Sequence, residues 1–415
     1  MRQEGKAVKT DIVIFGTGKS SELVLDALKM DNVAVTAFAD NNFNKHGTLY
    51  KGIRVVNPVD LTKMGFSFVI IAVIKYHSVV KQLLESGIKE EKIVPYFDTG
   101  IIGNSKLTDM FFWERMFRDN YNIKLKKIEI KLENLPYELV GTRKLYTPEV
   151  RDITETMDML VHTDVSISRF GDGEMKLMAG NDIGFQKASP QLAERLKEVL
   201  KSQPENHITG ILDVFGSLAG YTDSLQDYFR EYLHDYNREF QYGLLNINKT
   251  YYNAFITRPY ISYKDKQHAG EVFENFKKIW DGQDILIVEG DRTRLGRGND
   301  LFNNVKSCKR IICPNENAFE KYGQILGAVK KQDKGRLVLL ALGPTATILA
   351  YDLAKEGFRA VDIGHIDIEY EWYLMGATEK VAVKNKYTNE AYGGNSYDSI
   401  EDKEYEEQVV ERVGL

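Results

Sequence analysis

Two segments of the sequence carry acidic side chains at spacings that suit cation binding. In Ser168-Arg-Phe-Gly-Asp-Gly-Glu174, Asp172 and Glu174 lie two residues apart between glycines, directly after an apolar run. In Gly364-His-Ile-Asp-Ile-Glu-Tyr-Glu-Trp372, ionisable and apolar residues alternate. Those ionisable residues are His365, Asp367, Glu369 and Glu371. They share one face of an extended chain, and in a helix they align in pairs four residues apart. Such groups repel unless a cation, a proton or a cationic partner compensates them, so the second segment indicates metal ligands and a general base. Asp172 and Glu174 can both turn toward one hard cation or the ribose that it accompanies.

Other segments suit phosphate and nucleotide chemistry. Glu289–Asp300 follows an apolar run and combines three glycines with Arg292, Arg294 and Arg297, whose guanidinium groups fit phosphate oxygens. Arg169 adds a further cation beside Asp172. Arg258 and Lys264 flank tyrosines that either stack on a base or sugar or pack as an aromatic strand edge. In Leu342-Gly-Pro-Thr-Ala-Thr347, Thr345 is either a helix cap or part of an anion site.

A third kind of motif lies near the N-terminus. Gly16-Thr-Gly-Lys-Ser-Ser21 follows a buried-strand pattern and precedes a helical one, so Gly16, Gly18 and Ser20 would approach a phosphate at a helix N-terminus. Asp40 lies 22 residues beyond Gly18, where an acid would meet a ribose. The third glycine of the dinucleotide pattern is replaced by Ser21. The motif predicts a nucleotide site, with a turn that has lost its ligand as the alternative.

These motifs are separated by alternating strand and helix patterns, which indicate α/β domains with parallel sheets. The sequence predicts two Rossmann-like domains, at residues 1–105 and 150–395, joined by a connecting segment at 106–149. In that segment we predict a helix over Asp109–Arg118 and a strand over Ile123–Lys131. Residues 396–415 carry seven acids against Lys403 and Arg412, and the pattern predicts a solvated acidic tail.

The composition of the chain argues against several classes of function. The 415 residues have a net charge of −5, and the acidic tail accounts for all of it, which argues against a nucleic-acid binder. Two cysteines cannot form a disulfide framework or a four-cysteine zinc site. No apolar run approaches the ~20 residues of a membrane helix and no signal peptide is visible, so we expect a cytoplasmic protein without a transmembrane segment. The sequence leaves a homo-oligomer open.

The motifs of residues 150–395, taken together and in order, resemble bacterial glycosyltransferases of the GT-D type. The resemblance implies a Rossmann-like catalytic domain, a nucleoside diphosphate sugar donor such as UDP-glucose, a glycan or glycoprotein acceptor, and Mn²⁺ or Mg²⁺. Carried over, Asp172 and Glu174 meet the donor or the metal, while His365, Asp367 and Glu369 border the metal. Glu371 is then the candidate base of an inverting transfer. The N-terminal domain is a departure from the minimal family.

Two other functions stay open from the sequence. A nucleotide-sugar epimerase or dehydrogenase would use the N-terminal domain and a Tyr-x-x-x-Lys pair. Tyr260 and Lys264 have that spacing, but they lie 242 residues past Gly18 in another domain, so NAD is not expected. A non-catalytic nucleotide sensor would bind a donor without turning it over.

Overall fold

The chain forms two compact units, at residues 1–129 and 130–415, each with its own sheet. The structure is a computed structural model. It describes residues 10–28, 33–97, 110–139, 147–234, 237–388, 391 and 402–415.

The first unit is built on a six-stranded sheet. Its strands are β1 (Thr10–Phe15), β2 (Val33–Ala39), β3 (Leu49–Tyr50), β4 (Ile53–Val56), β5 (Phe68–Ile71) and β6 (Ile93–Pro95). They lie in the order β3-β4-β2-β1-β5-β6, and every pairing is parallel except the β3–β4 hairpin. Helices α1 (Lys19–Ala27) and α2 (His77–Glu85) complete the strand–helix alternation predicted from the sequence.

The second unit is built on a nine-stranded sheet. Its strands are β7 (Glu149–Val150), β8 (Ser166–Phe170), β9 (His207–Ile211), β10 (Thr250–Asn253), β11 (Asp284–Gly290), β12 (Ser307–Cys313), β13 (Leu337–Ala341), β14 (Ala360–Asp362) and β15 (Val409–Arg412). The order is β15-β12-β11-β13-β14-β8-β9-β10-β7, with parallel pairing throughout these strands. The central strands are apolar runs buried on both faces, as parallel sheets require.

Helices follow most strands of the second unit. They are α4 (Ile153–His162), α5 (Asp172–Met178), α6 (Pro190–Lys201), α7 (Asp223–Tyr232), α8 (Asn237–Leu244), α9 (Ala269–Trp280), α10 (Tyr322–Lys330), α11 (Pro344–Lys355), α12 (Ile366–Leu374) and α13 (Lys403–Gln408). The predicted fold class, α/β with two parallel-sheet domains, is therefore confirmed. Among the helices described, none is both long enough and apolar enough to cross a membrane.

The connecting segment differs from the prediction. One helix, α3 (Met110–Glu138), replaces the predicted helix and strand, so the strand expected over Ile123–Lys131 is wrong. The alternation in that stretch arises because α3 has apolar residues on two faces, one buried and one exposed. The division between the compact units falls within this helix, at Glu129.

The described part of the acidic C-terminal segment is not a solvated tail. β15 pairs with β12 and extends the sheet, and α13 packs beside it. Arg310 of β12, which is 3% exposed, donates to Glu289 Oε1 at 2.5 Å and to Gln408 Oε1 at 2.7 Å. The Tyr405 hydroxyl donates to the same Glu289 oxygen at 3.1 Å. Residues beyond 401 thus complete a buried ion pair, which is why they fold onto the domain.

Candidate active site

Two neighbouring strands end side by side and bring opposite charges together. β14 pairs with β8 through Val361 and Ile167, so Asp362 and Arg169 lie at the same sheet edge. Arg169 donates from Nη2 to Asp362 Oδ1 at 2.9 Å and from Nε to the Asp362 carbonyl at 2.8 Å. Its Nη1 donates to the Ala254 carbonyl at 3.1 Å. The guanidinium predicted to bind the donor is therefore held by its own chain, as a buried anchor of this edge.

Asp172 is the partly exposed carboxylate of this edge. Lys176 donates to its Oδ2 at 2.6 Å, and the Tyr228 hydroxyl donates to the same oxygen. Burial by itself would raise the pKa of Asp172, but these bonds and the charges of Lys176 and Arg258 lower it below its ordinary value. The Asp172 side chain is 37% exposed. An ionised, accessible carboxylate therefore stands near Arg258, another residue predicted to contact the donor.

Glu174 has a different environment two residues later. Its Oε2 accepts the Gly171 N–H at 2.7 Å at the start of α5. Burial raises the pKa of Glu174 to about 7, and the charges of Asp362 and Asp172 add to this rise. Burial likewise raises the pKa of Asp362, against the effect of Arg169. The pKa of Asp172 is thus lowered and that of its neighbour Glu174 is raised. Such a separation of pKa values allows one carboxyl group to act as a base and the other as an acid.

The second acidic segment is helical. His365 is the N-cap of α12, and the helix aligns Asp367 with Glu371 on one face. Lys386 binds both oxygens of Asp367, at 2.9 and 2.7 Å, and Glu371 Oε1 at 2.9 Å. Asn299 Nδ2 donates to the same two carboxylates, at 2.8 Å each. Their repulsion is therefore relieved by a buried lysine and an amide.

The predicted metal ligands do not converge on one point. Glu369 is fully buried, and its Oε2 accepts the N–H groups of Tyr260 and Ile261 at 3.3 and 3.1 Å. Across the described ranges, no group of three or more His, Cys, Asp and Glu side chains is placed to hold a metal ion. The predicted set therefore does not assemble as one protein cage. That set is Asp172, Glu174, His365, Asp367 and Glu369.

In the segment Glu289–Asp300, named here the Gly/Arg loop, the side chains of Arg294 and Arg297 bind a carboxylate of the C-terminal segment. Arg294 Nη2 donates to Asp402 Oδ2 at 2.8 Å, and Arg297 donates to both Asp402 oxygens at 2.9 and 3.0 Å. Arg292 is half-buried, and its carbonyl accepts the Tyr387 N–H at 3.3 Å. The C-terminal segment thus supplies a carboxylate where the sequence predicted a phosphate.

Two further predicted positions lie in the interior. Thr345, predicted to contact the donor, is fully buried in the first turn of α11. Tyr260 is 8% exposed and packs against Tyr373, with ring centroids 5.6 Å apart. Lys264 pairs with Asp223 at 2.7 Å instead of facing Tyr260 as a proton-transfer pair. The packed aromatic edge is therefore the correct alternative here, and the geometry does not favour the epimerase or dehydrogenase.

Three residues of this region escaped the sequence analysis. They are Tyr228, Asp362 and Lys386, whereas Asn299 lies in the Glu289–Asp300 motif but was given no role. Asp362 ends an apolar strand pattern, a position from which it could have been found. Lys386 lies outside every motif, and only the folded chain brings it to the carboxylates of α12.

The N-terminal motif forms the predicted strand–turn–helix. Gly16 has φ +106°, Gly18 caps α1 and Ser20 lies in its first turn. Asp40 accepts a hydrogen bond from the Thr17 hydroxyl and an ion pair from Lys45 at 3.3 Å. Burial favours a higher pKa, but these contacts and the Asn42 N–H lower the pKa of Asp40. The acid predicted to meet a ribose is thus bonded within its own unit, and the nucleotide site stays a prediction.

Comparison with known proteins gives two matching families. A family described as glycosyltransferase GT-D fold matches residues 167–391, and one described as C2185-like, N-terminal, matches residues 8–94. The chain is 40% identical over 274 residues to the probable glycosyl transferase Gly of Streptococcus gordonii, covering 64% of this chain and 40% of that protein. It is 37% identical over 266 residues to glycosyltransferase GlyD of Streptococcus pneumoniae serotype 4, covering 64% of this chain and 32% of that protein.

Solved structures agree with these matches. A structure described as a new glycosyltransferase of domain of unknown function 1792, from Streptococcus sanguinis, is 39% identical with a TM-score of 0.61, over 65% of this chain and all of that one. The chain spans 40% or less of the length of the two streptococcal relatives. The GT-D match covers more than half of the chain and contains the charged edge formed by β8, β14 and α12. The chain therefore belongs to the glycosyltransferases of the GT-D fold.

Proposed function

We propose that the second unit transfers a sugar from a nucleoside diphosphate sugar, UDP-glucose or a close analogue, to a hydroxyl group of a glycan or glycoprotein. The observation that supports this most is the charged edge at β8 and β14, where Asp172 is ionised and partly exposed beside Arg258. Open parallel sheets bind ligands beyond the carboxyl ends of their strands. This edge lies within the part of the chain that matches the GT-D family.

The carboxylates available as ligands favour a metal ion that arrives with the sugar donor over one that the protein binds by itself. Asp172 is the accessible carboxylate, whereas Asp367 and Glu369 are 3% and 0% exposed and already bonded. A cation held by substrate phosphates needs only one or two protein carboxylates. We therefore propose that Asp172 receives Mn²⁺, or Mg²⁺ in its place, and that Glu174, protonated without the cation, ionises to join it when the cation is bound. When bound, such a cation offsets negative charge on the diphosphate.

The residues of the chain itself supply orientation and proton transfer. The Arg169–Asp362 pair fixes the ends of β8 and β14, and Arg258 adds positive charge where the diphosphate leaves. In an inverting transfer the acceptor hydroxyl must lose its proton to a base. We propose Glu371 for this role, with His365 as a neighbouring group at the start of the same helix. Lys386 and Asn299 both donate to Oε1 of Glu371, which orients this carboxylate.

A donor screen tests the reaction. The full chain is incubated with UDP-, GDP- and dTDP-sugars, with Mn²⁺, Mg²⁺ or a chelator, and released nucleoside diphosphate is measured. We expect turnover of at least one UDP-sugar that the chelator reduces. Binding without release of diphosphate for every donor would instead indicate a nucleotide sensor and contradict the proposal.

Substitutions test the site. Asp172→Asn should lower turnover at least a hundredfold, because it removes the accessible negative charge. Asp158→Asn is the matched control, since Asp158 is exposed on α4 and away from the motifs. Glu371→Gln should lower kcat with little change in KM if Glu371 accepts the proton. Full activity of both Asp172→Asn and Glu371→Gln would place the chemistry elsewhere.

A further inference from the structure

The carboxylate of Asp172 already holds a cation, the ammonium group of Lys176. Lys176 lies one turn after Asp172 on α5, and its Nζ donates to Asp172 Oδ2 at 2.6 Å. The Tyr228 hydroxyl of α7 donates to the same oxygen and accepts a hydrogen bond from Lys176 Nζ at 3.1 Å. A carboxylate oxygen has two lone pairs, so these two donors fill Oδ2. A metal ion can bind this oxygen only if one of them leaves.

Charge decides which of the two donors leaves. A divalent ion repels the ammonium of Lys176, whereas it does not repel a neutral hydroxyl. The Lys176 side chain is 40% exposed and has a flexible four-carbon stem, so it can swing into water without repacking the core. Tyr228 is held more firmly, because its ring packs against Phe229 and Tyr232, with centroids 5.2 and 6.2 Å away. Lys176 is therefore the group that yields.

Another lysine–aspartate pair of the second unit has the opposite character. Lys386 Nζ lies 2.7 Å from Asp367 Oδ2, and the two side chains are only 3% and 4% exposed. Removing that ammonium would leave a buried carboxylate without its cation, which costs much free energy. The Lys386–Asp367 pair is therefore fixed, whereas the Lys176–Asp172 pair lies where water can take up either charge.

The surroundings of the Lys176 ammonium suit an ammonium better than a bare metal ion. Its Nζ lies 5.8 Å from the ring centroids of both Tyr228 and Tyr232, within the range of cation–π attraction. Mn²⁺ and Mg²⁺ instead need several oxygen ligands. In the described part of the chain, no three His, Cys, Asp or Glu side chains meet around a common point for a metal. A metal ion without its own oxygen ligands is thus a weak competitor for Asp172.

We propose that Lys176 is a tethered cation that occupies Asp172 Oδ2 in the free protein and leaves it when Mn²⁺ or Mg²⁺ arrives with the donor diphosphate. This inference rests on the proposed function, because it takes Asp172 as the ligand of that ion. The phosphate oxygens of the donor supply the ligands that Asp172 alone lacks. Lys176 is thus a positioning residue, which orients the carboxylate and disfavours binding of the metal ion without the donor.

Binding of Mn²⁺ alone tests this role without any measurement of turnover. The full chain without donor is titrated with Mn²⁺, and the electron paramagnetic resonance signal of free Mn²⁺ reports the bound fraction. Lys176→Met should raise the affinity about tenfold, because it frees a lone pair of Oδ2 and removes the repulsion. Asp172→Asn/Lys176→Met should lose this gain, which assigns the bound ion to Asp172. Circular dichroism checks that these variants, changed at partly exposed positions, remain folded.

Three further variants separate the ammonium from its neighbours. Lys176→Arg keeps the charge and a carboxylate donor, so it should restore the weak binding of the wild type. Lys197→Met is the matched control, since Lys197 pairs with Glu194 at 3.1 Å on α6 and its loss changes the net charge equally. Tyr228→Phe removes only the neutral donor and should raise the affinity less than Lys176→Met. A larger gain for Tyr228→Phe would overturn the proposal, because the tyrosine would then be the group that yields.

The donor screen separates a failure of this inference from a failure of the proposed function. Equal Mn²⁺ affinity of the wild type and Lys176→Met overturns the role of Lys176. If a chelator still reduces turnover of a nucleoside diphosphate sugar, the proposed function stands and only the tethered cation is wrong. If turnover is unaffected by the chelator, the cation at Asp172 is contradicted as well.

Discussion

Replacing Glu174 with glutamine should stabilise the second unit at pH 8 far more than at pH 5. Burial raises the pKa of Glu174 from 4.5 to about 7. The folded protein therefore holds this proton more tightly than the unfolded chain does. The stability that this group contributes is fully present below pH 4.5 and is lost as the pH rises through 7. Glutamine stays neutral at every pH and keeps an oxygen for the Gly171 N–H.

The size of the effect follows from the pKa shift. One pKa unit corresponds to about 1.4 kcal/mol, so ionising Glu174 in the folded protein costs about 3 kcal/mol above pH 7. Part of that cost is already present at pH 5, because the unfolded chain begins to ionise there. The free energy of unfolding of Glu174→Gln relative to wild type should therefore increase by about 2.5 kcal/mol from pH 5 to pH 8.

Urea unfolding followed by tryptophan fluorescence measures this difference. In a Trp113→Phe background the remaining tryptophans, Trp280 and Trp372, are both buried in the second unit. Glu194→Gln is the control, because the Glu194 side chain is 75% exposed and its effect should be equal at both pH values. A difference for Glu174→Gln that does not change between pH 5 and pH 8 would refute the inference that burial holds Glu174 as a protonated acid.

Three other substitutions test contacts around the site. Gly364→Ala should lower the free energy of unfolding by more than about 2 kcal/mol, because a Cβ there would lie 2.0 Å from Nη2 of Arg169 at φ +41°. Lys386→Met should cost about 3–5 kcal/mol in the same urea experiment, since Asp367 would be buried without its cation. Asp402→Asn should speed limited proteolysis of the C-terminal segment several-fold, because it weakens the ion pairs to the Gly/Arg loop.

Each of these variants has a matched control. Gly327→Ala lies in α10 with no heavy atom within 4 Å of the added Cβ, so it should be neutral or stabilising by up to about 1 kcal/mol. Lys384→Met and Glu407→Gln change exposed side chains near Lys386 and Asp402 and should have little effect. If a test variant has the same stability or proteolysis rate as its control, the corresponding contact does not stabilise the fold.

Local pattern was enough to predict the elements of the fold. From apolar periodicity and flanking residues, the sequence predicts a helix over His77–Glu85 and a strand over Ile93–Pro95, and α2 and β6 have these bounds. Over Ile123–Lys131 the same reasoning failed, because a helix with apolar residues on two faces imitates the alternation of a strand in a short window. Tertiary packing, absent from the sequence, decides between the two.

Contacts between segments that are far apart in the sequence could not be predicted from sequence patterns. Arg294 and Asp402 are 108 residues apart, and only the docking of the C-terminal segment brings them together. The sequence therefore placed the arginines at the correct strand end but assigned them to a phosphate. For the segment at His365–Glu371 the sequence allowed a strand or a helix, and the helix was decided by the packing of α12, which depends on Lys386 and the loop of Asn299.

The position of β15 has a consequence for biosynthesis. The strand that it covers, β12, leaves the ribosome roughly a hundred residues earlier, which at ordinary translation rates is about 5–20 seconds. During that interval the nascent polypeptide presents an open strand edge and an arginine, Arg310, whose glutamine partner has not been made. Chaperones that shield such edges would act longest on this protein just before residues 402–415 emerge, and premature stop codons in this segment should yield aggregating products.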